Sequence, residues 1–287
     1  MEKLWWMVNR LLKEKYWLQL LIGEVNISSL ISPTAIIHPS AQVGKNVSIG
    51  PYSIIEYDVK IGYNTCIDAH AHIKPYTTIG KDCKIFHGAV LGEIPQDLKY
   101  DGEKSQLIIG NATTIREFCT LNRGTKATGK TIIGNHCLLM AYVHVAHDCS
   151  IGDHNILANA VQLGGHVKIG NHVTIGGMTP VHQFCKVGDY SFIGGGYRIV
   201  QDVPPYILAM DEPLKFSGLN VIGLRRKNFS TDVRNNLKRA YQLIYQSNLN
   251  RSQAVKQIKA EFNSIPNSTS EINNIIEFIE NSDRGLI

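Results

Sequence analysis

The chain has 287 residues, 44% of them hydrophobic, enough for one or two domains that bury ample apolar surface. Lys and Arg number 29 against 24 Asp and Glu, so the formal net charge is only +5 and any strongly basic surface has to be local. The six cysteines form no C-x-x-C pair, which excludes a paired-thiol motif and points to a reduced, cytoplasmic setting.

Residues 1–30 interleave Trp5, Trp6, Val8, Leu11, Leu12, Trp17 and Leu18 with Arg10, Lys13, Glu14 and Lys15, an amphipathic pattern. The charges come too early for a span of ~20 apolar residues, so no transmembrane segment is expected. The apolar stretch from Tyr16 to Ile22 is short for a signal peptide. The extension reads as a cap, as a surface or partner-binding helix, or as sequence upstream of the true start.

From residue 31 the pattern changes. An aliphatic anchor recurs every sixth position from Ile37 to Leu91, again at Ile109, Ile115 and Leu121, and then without a break from Ile133 to Ile199. A period of six suits neither a helix nor a hairpin sheet. It suits a parallel β-helix of three-sided coils, 18 residues per coil, in which each short strand contributes one large inward residue. Glycine often follows the anchor, as at Val43-Gly44 and Ile169-Gly170, and is expected to supply the φ > 0 of a tight corner. Cys83, Cys119, Cys137, Cys149 and Cys185 stand four places after an anchor, the small inward position, and read as packed thiols.

Two insertions interrupt the hexads, one from Gly92 to Glu103 and one from Arg123 to Lys130. Insertions in a repeat protein leave as surface loops, commonly on the binding face. The repeat stops around Gln201-Asp-Val-Pro-Pro-Tyr206. Helical patterns then open at Phe229-Ser-Thr-Asp232, at Ser252 and at Thr269-Ser-Glu271, running to Tyr245, Phe262 and Ile279. The predicted organisation is an amphipathic extension over 1–30, a hexapeptide-repeat β-helix over 31–206, and a small helical domain over 207–287. Residues 222–260 carry nine basic side chains against Asp232 alone, so that segment seeks an anion. No nucleic-acid-binding motif accompanies it, and a phosphorylated ligand or an acidic protein suits it better.

Seven of the eleven histidines have ordinary explanations: His70, His136, His154 and His172 stand three places after an anchor, beside a corner, and His38, His72 and His87 are little different. The others group differently. With 18 residues per coil, positions near 147, 165 and 183 stack on one edge, which brings together His147, Gly165, His166, His182 and Gln183, with His144 close by. Imidazoles converging on an exposed glycine backbone suggest either a metal site or a general base with an oxyanion donor.

The segments Gly92-Glu-Ile-Pro-Gln-Asp-Leu-Lys-Tyr100, Asn122-Arg-Gly-Thr125, His144-Val-Ala-His-Asp-Cys149, Gly176-Gly-Met-Thr-Pro-Val-His-Gln-Phe184, Gln201-Asp-Val-Pro-Pro-Tyr206 and Gly223-Leu-Arg-Arg226 occur in this order. Together they resemble the acyl-[acyl-carrier-protein]–UDP-N-acetylglucosamine O-acyltransferases, the first enzymes of lipid A biosynthesis, over roughly 31–287. The resemblance implies a mainly β fold, a left-handed parallel β-helix with a small carboxy-terminal α-helical domain, assembled as a homotrimer. It implies a general base at His147, steadied by Asp148, and an oxyanion donor in the Gly165 backbone N–H. It implies Asp97, Lys99, His144, His166, His182, Gln183 and Asn220 around the sugar and uridine diphosphate, Arg226 at phosphate, and Gly195 as the acyl-length ruler. The substrates so implied are UDP-N-acetylglucosamine and acyl carrier protein bearing a 3-hydroxyacyl chain, with no metal or redox cofactor and no nucleic acid.

Three positions depart from the best-known members: Asn122 stands in place of histidine, Lys227 in place of a second arginine, and Ile222 in place of an acidic residue. A zinc carbonic anhydrase uses the same type of helix, but has no need of the sugar-nucleotide segments. The related N-acyltransferase carries an additional amino-terminal domain, for which 30 residues are too few. A non-catalytic scaffold leaves the clustered histidines unexplained.

Overall fold

The computed structural model describes residues 30–262 and 269–287. The expectation for residues 1–30 therefore lies, Leu30 apart, outside the described residues.

Short parallel strands stack into three faces of a prism. The first face runs from Ile36–Ile37 to Pro180–Val181, the second from Gln42–Val43 to Lys186–Val187, and the third from Ser48–Ile49 to Phe192–Ile193. The chain visits the faces in that order in every coil. Anchors pair with anchors across coils, Ile37 with Ile55 and Ile55 with Ile73, so that each face carries an unbroken inward aliphatic ladder. From Ile49 to Ile199 every one of these anchors is at most 4% exposed. Burying such a side chain contributes ~1.5–3 kcal/mol, which is why the period of six is so legible. The five cysteines placed inward by the hexad rule are buried, and Cys66, at an outward position, is exposed.

The glycines work differently from the expectation. Apart from Gly92 (φ 84°), which opens the first insertion, those directly after an anchor do not have φ > 0; the left-handed residues stand three places after it and are mostly not glycine, as in Asn46 (φ 60°), His154 (φ 59°) and Tyr190 (φ 58°). A left-handed L-residue costs roughly 1–2 kcal/mol. The ladder between coils offsets that cost: His154 N–H donates to Asn135 O at 2.8 Å, and the corner rings stack in a column of His136, His154, His172 and Tyr190 at 4.6–4.8 Å. The glycine after the anchor answers to close approach instead. A Cβ on Gly62 would lie 2.5 Å from Lys81 N of the next coil, and one on Gly44 would lie 2.7 Å from Tyr63 N.

Past Tyr206 the third face continues. Ile207–Met210 adds in parallel to Phe192–Ile193, and Lys215–Leu219 pairs with it antiparallel, a hairpin absent from the hexad pattern. Four helices follow among the described residues: α1 (Val221–Arg226), α2 (Thr231–Tyr245), α3 (Arg251–Phe262) and α4 (Thr269–Glu280). The last three match the helical patterns of the sequence, and Ser230 caps α2 by accepting from Val233 N–H at 3.2 Å. The helices close over the end of the prism through Tyr241, fully buried, whose hydroxyl donates to Pro205 O at 2.5 Å. Among the described residues no helix is long and apolar enough to cross a membrane.

Candidate active site

Both insertions leave from the edge between the first and second faces. One joins Val90–Glu93 to Gln106–Ile109, and the other joins Thr120–Asn122 to Lys130–Ile133. The next three corners on that edge hold Ala146–Cys149, Gly164–Val167 and His182–Cys185, so the loops and the predicted histidines share one edge. The insertions brace each other: Ser105 Oγ donates to Gly124 O at 2.5 Å, and Glu103 Oε1 accepts from Lys126 N–H at 2.9 Å. Asn122 is part of this bracing. Its amide donates to Ile94 O at 2.9 Å and fastens the start of the first insertion to the coil, so the departure from histidine has a structural use.

The centre of the edge is His147. Its Nδ1 lies 2.8 Å from Asp148 Oδ2, and since an ionised carboxylate only accepts, Nδ1 carries the proton and Nε2 is left as the acceptor. Asp148 is a corner residue (φ 59°) with a fully buried side chain. It also accepts from Thr125 N–H at 3.0 Å, from Thr125 Oγ1 at 2.7 Å and from Thr128 Oγ1. Burial alone would push this carboxyl up, but the Thr128, His147 and Thr125 donors outweigh it and hold Asp148 down at about 2. The pair is thus a permanently ionised carboxylate behind an imidazole.

Gly165 lies directly beneath that imidazole. A Cβ there would be 2.6 Å from His147 Cε1 and 2.7 Å from Nε2, so any other residue would displace the ring. The amides on either side are used by the coil ladder, Gly164 N–H to Val181 O at 2.9 Å and His166 N–H to His147 O at 3.0 Å. The Gly165 N–H between them is paired with no acceptor among the described residues. An unpaired N–H beside a basic nitrogen is the geometry an oxyanion donor needs.

Other expected residues surround this centre. Asp97 Oδ2 is 4.0 Å from His147 Nε2, and the Asp97 carboxylate accepts from Lys99 N–H at 3.0 Å, which turns the first insertion toward the site. His166 meets His147 edge to face at 5.2 Å and is itself stacked on Phe184 at 4.5 Å. His144, on the first face, is part-buried, which pushes its pKa down and favours the neutral ring; its Nδ1 lies 2.8 Å from Thr120 Oγ1. His182 and Gln183 are exposed at the next corner of the same edge. The spacing of the sequence did not reveal Thr125, Thr128 or Phe184: the threonines sit in an insertion, outside the register, and Phe184 occupies a corner position.

Three expected residues lie elsewhere within one chain. Gly195 is exposed on the edge between the third and first faces. Asn220 sits at the edge between the second and third faces, where its amide donates to Tyr190 O at 2.9 Å and its Oδ1 caps α1 by accepting from Gly223 N–H at 3.1 Å. Arg226 ends α1 and is exposed.

Ligand atoms of His147, Asp148 and His166 lie within 4.8 Å of one another, a spacing a metal ion can use. Here the two Asp148 oxygens already take four donors, and His147 Nδ1 holds the proton that a metal would have to displace. The donor set fits an oriented base better than a cation cage.

Comparison with known proteins agrees with the architecture. The family profile described as "Bacterial transferase hexapeptide (six repeats)" matches residues 130–165, and "Udp N-acetylglucosamine O-acyltransferase; Domain 2" matches residues 202–287. Proteins named acyl-[acyl-carrier-protein]–UDP-N-acetylglucosamine O-acyltransferase are 50% identical in Chlorobaculum parvum, over 90% of this chain and 96% of that one, and 44% identical in Thermodesulfovibrio yellowstonii, over 89% and 98%. The solved UDP-N-acetylglucosamine acyltransferase of Bacteroides fragilis is 48% identical, covers 89% of this chain and 99% of its own, and superposes with a TM-score of 0.86. The fold is therefore the mainly β, left-handed parallel β-helix, and the chain belongs to the acyl-[acyl-carrier-protein]–UDP-N-acetylglucosamine O-acyltransferases.

Proposed function

We propose that the protein transfers a 3-hydroxyacyl group from acyl carrier protein to the 3-hydroxyl of UDP-N-acetylglucosamine, the opening step of lipid A biosynthesis, and that it does so in the cytoplasm. The observation that carries the mechanism is a single one: the imidazole of His147, with Nδ1 tied to ionised Asp148, rests on Gly165 with Nε2 left as an acceptor. Nε2 takes the proton of the sugar hydroxyl as its oxygen attacks the thioester carbonyl, and Asp148 stabilises the imidazolium that forms. The Gly165 N–H donates to the carbonyl oxygen as charge gathers there. The imidazolium then returns the proton to the departing thiolate. Atoms and charge balance without a metal or redox partner.

Asp97, Lys99, His144, His166, His182 and Gln183 would hold the sugar nucleotide along this edge, with Asn220 and Arg226 toward the uridine diphosphate and Gly195 at the end of the acyl chain. These groups occupy three different edges of a rigid prism. A homotrimer of prisms packed side by side brings one copy's edge against another's and so supports a shared site. The basic segment is the part suited to an acidic carrier protein. Two of its nine charges are partly spoken for, because Arg239 donates twice to Glu261 at 2.8 and 3.2 Å and Lys259 bonds Glu280 at 2.6 Å. The docking charge therefore rests on the remaining side chains, among them Lys238.

An acyl-transfer assay with carrier-protein donors of several chain lengths tests the reading. O-Acylation of UDP-N-acetylglucosamine with release of free carrier thiol is expected. Transfer confined to the 3-amino analogue, or to neither sugar, would overturn it.

A further inference from the structure

We propose that Thr125, seconded by Thr128, is a positioning residue that locks the His147–Asp148 pair for proton transfer; this rests on His147 being the base. Thr125 is buried, and it addresses Asp148 twice, through its N–H to Oδ1 at 3.0 Å and through its hydroxyl to Oδ2 at 2.7 Å. The hydroxyl has only one proton, and the other contact at that oxygen is a donor, Ala127 N–H at 3.1 Å, so the proton belongs to Asp148. Thr128 Oγ1 reaches Asp148 Oδ1 as well, but it has a second acceptor in Lys130 O at 2.8 Å. The remaining donor on Oδ2 is His147 Nδ1. With three of its four donors coming from the insertion, the carboxylate cannot rotate without breaking them together, and the imidazole plane follows it.

The bracing explains why this can be rigid. Gly124 and Lys126, the two neighbours of Thr125, are held from the first insertion by Ser105 and Glu103. The second insertion is thereby a clamp on the proton-transfer pair as well as a surface loop. The groups that face His147 are Asp148, Asp97 at 4.0 Å to Nε2 and the ring of His166. Removing the Thr125 hydroxyl leaves His147 Nδ1 as the one hydrogen-bond donor on Oδ2, so the carboxylate is free to rotate and the imidazole plane turns with it.

The test compares Thr125→Val, which keeps the N–H, with Thr125→Ser, which keeps both donors. Thr125→Val should lower kcat about tenfold, the scale of one charge-assisted hydrogen bond, with the KM for UDP-N-acetylglucosamine little changed. The rate of carbethoxylation of His147 at fixed pH, read by mass spectrometry, should depart from wild type in Thr125→Val and return to it in Thr125→Ser. Unchanged kcat and carbethoxylation rate in Thr125→Val would overturn the proposal, as would a fall in kcat that serine does not rescue. Because carbethoxylation needs no turnover, it still reads the positioning if His147→Ala were to show that His147 is not the base.

Discussion

Gly165 has to be glycine before any substrate arrives, because His147 already occupies the space a Cβ would need, at 2.6 Å from Cε1. Gly165→Ala is thus expected to tilt the imidazole off its bond to Asp148 while the coil ladder on either side persists. Turnover should drop by at least ~10-fold and approach the ~10²–10⁴ scale of losing a positioned base, with a thermal midpoint close to wild type. A variant with full turnover would show that the ring does not need its present seat. The stacking of 147 with 165 was legible from the 18-residue coil alone. The direction of the benefit was not: the sequence suggested a glycine backbone exposed to substrate, and the structure shows that the space beside it is first used by the base. Thr125 was illegible for a related reason, since residues in an insertion have no register to predict their neighbours.

At the scale of elements, inward positions are decided by a strict period and outward ones by contacts between coils. Cys119 and Cys149 are pushed up to about 12 and Cys137 and Cys185 to about 11, in each case by burial, and Cys83 is raised by burial too. Such thiols are neither ionised nor accessible near neutral pH. A disulfide-exchange reagent should therefore label only Cys66 of the six cysteines in the native protein, and all six after denaturation. Rapid labelling of a second thiol would contradict the inward placement. The hexad pattern foretold these positions because large and small inward residues alternate at fixed spacing. It did not foretell that residues such as His154 or Tyr190 would accept φ > 0, because that cost is offset by stacking on rings 18 residues away, which no local window contains. Helices α2, α3 and α4 were legible through their apolar periodicity, whereas six-residue α1 and the hairpin before it are too short to carry one.

Over residues 31–206 the chain is a prism with both insertions on one edge, the edge that also carries His147, Gly165 and His166. Gly195, Asn220 and Arg226 sit away from that edge, so a sugar nucleotide with an acyl chain would span more than one copy in the trimer proposed above. The central claim nevertheless turns on one imidazole in each copy. Turnover of His147→Ala, measured beside its sugar-nucleotide affinity and its assembly mass, tests it most directly. The account predicts turnover lower by at least ~10²-fold, with affinity and assembly unchanged, the signature of losing a general base. Near-normal turnover in a folded, assembled His147→Ala protein would contradict it.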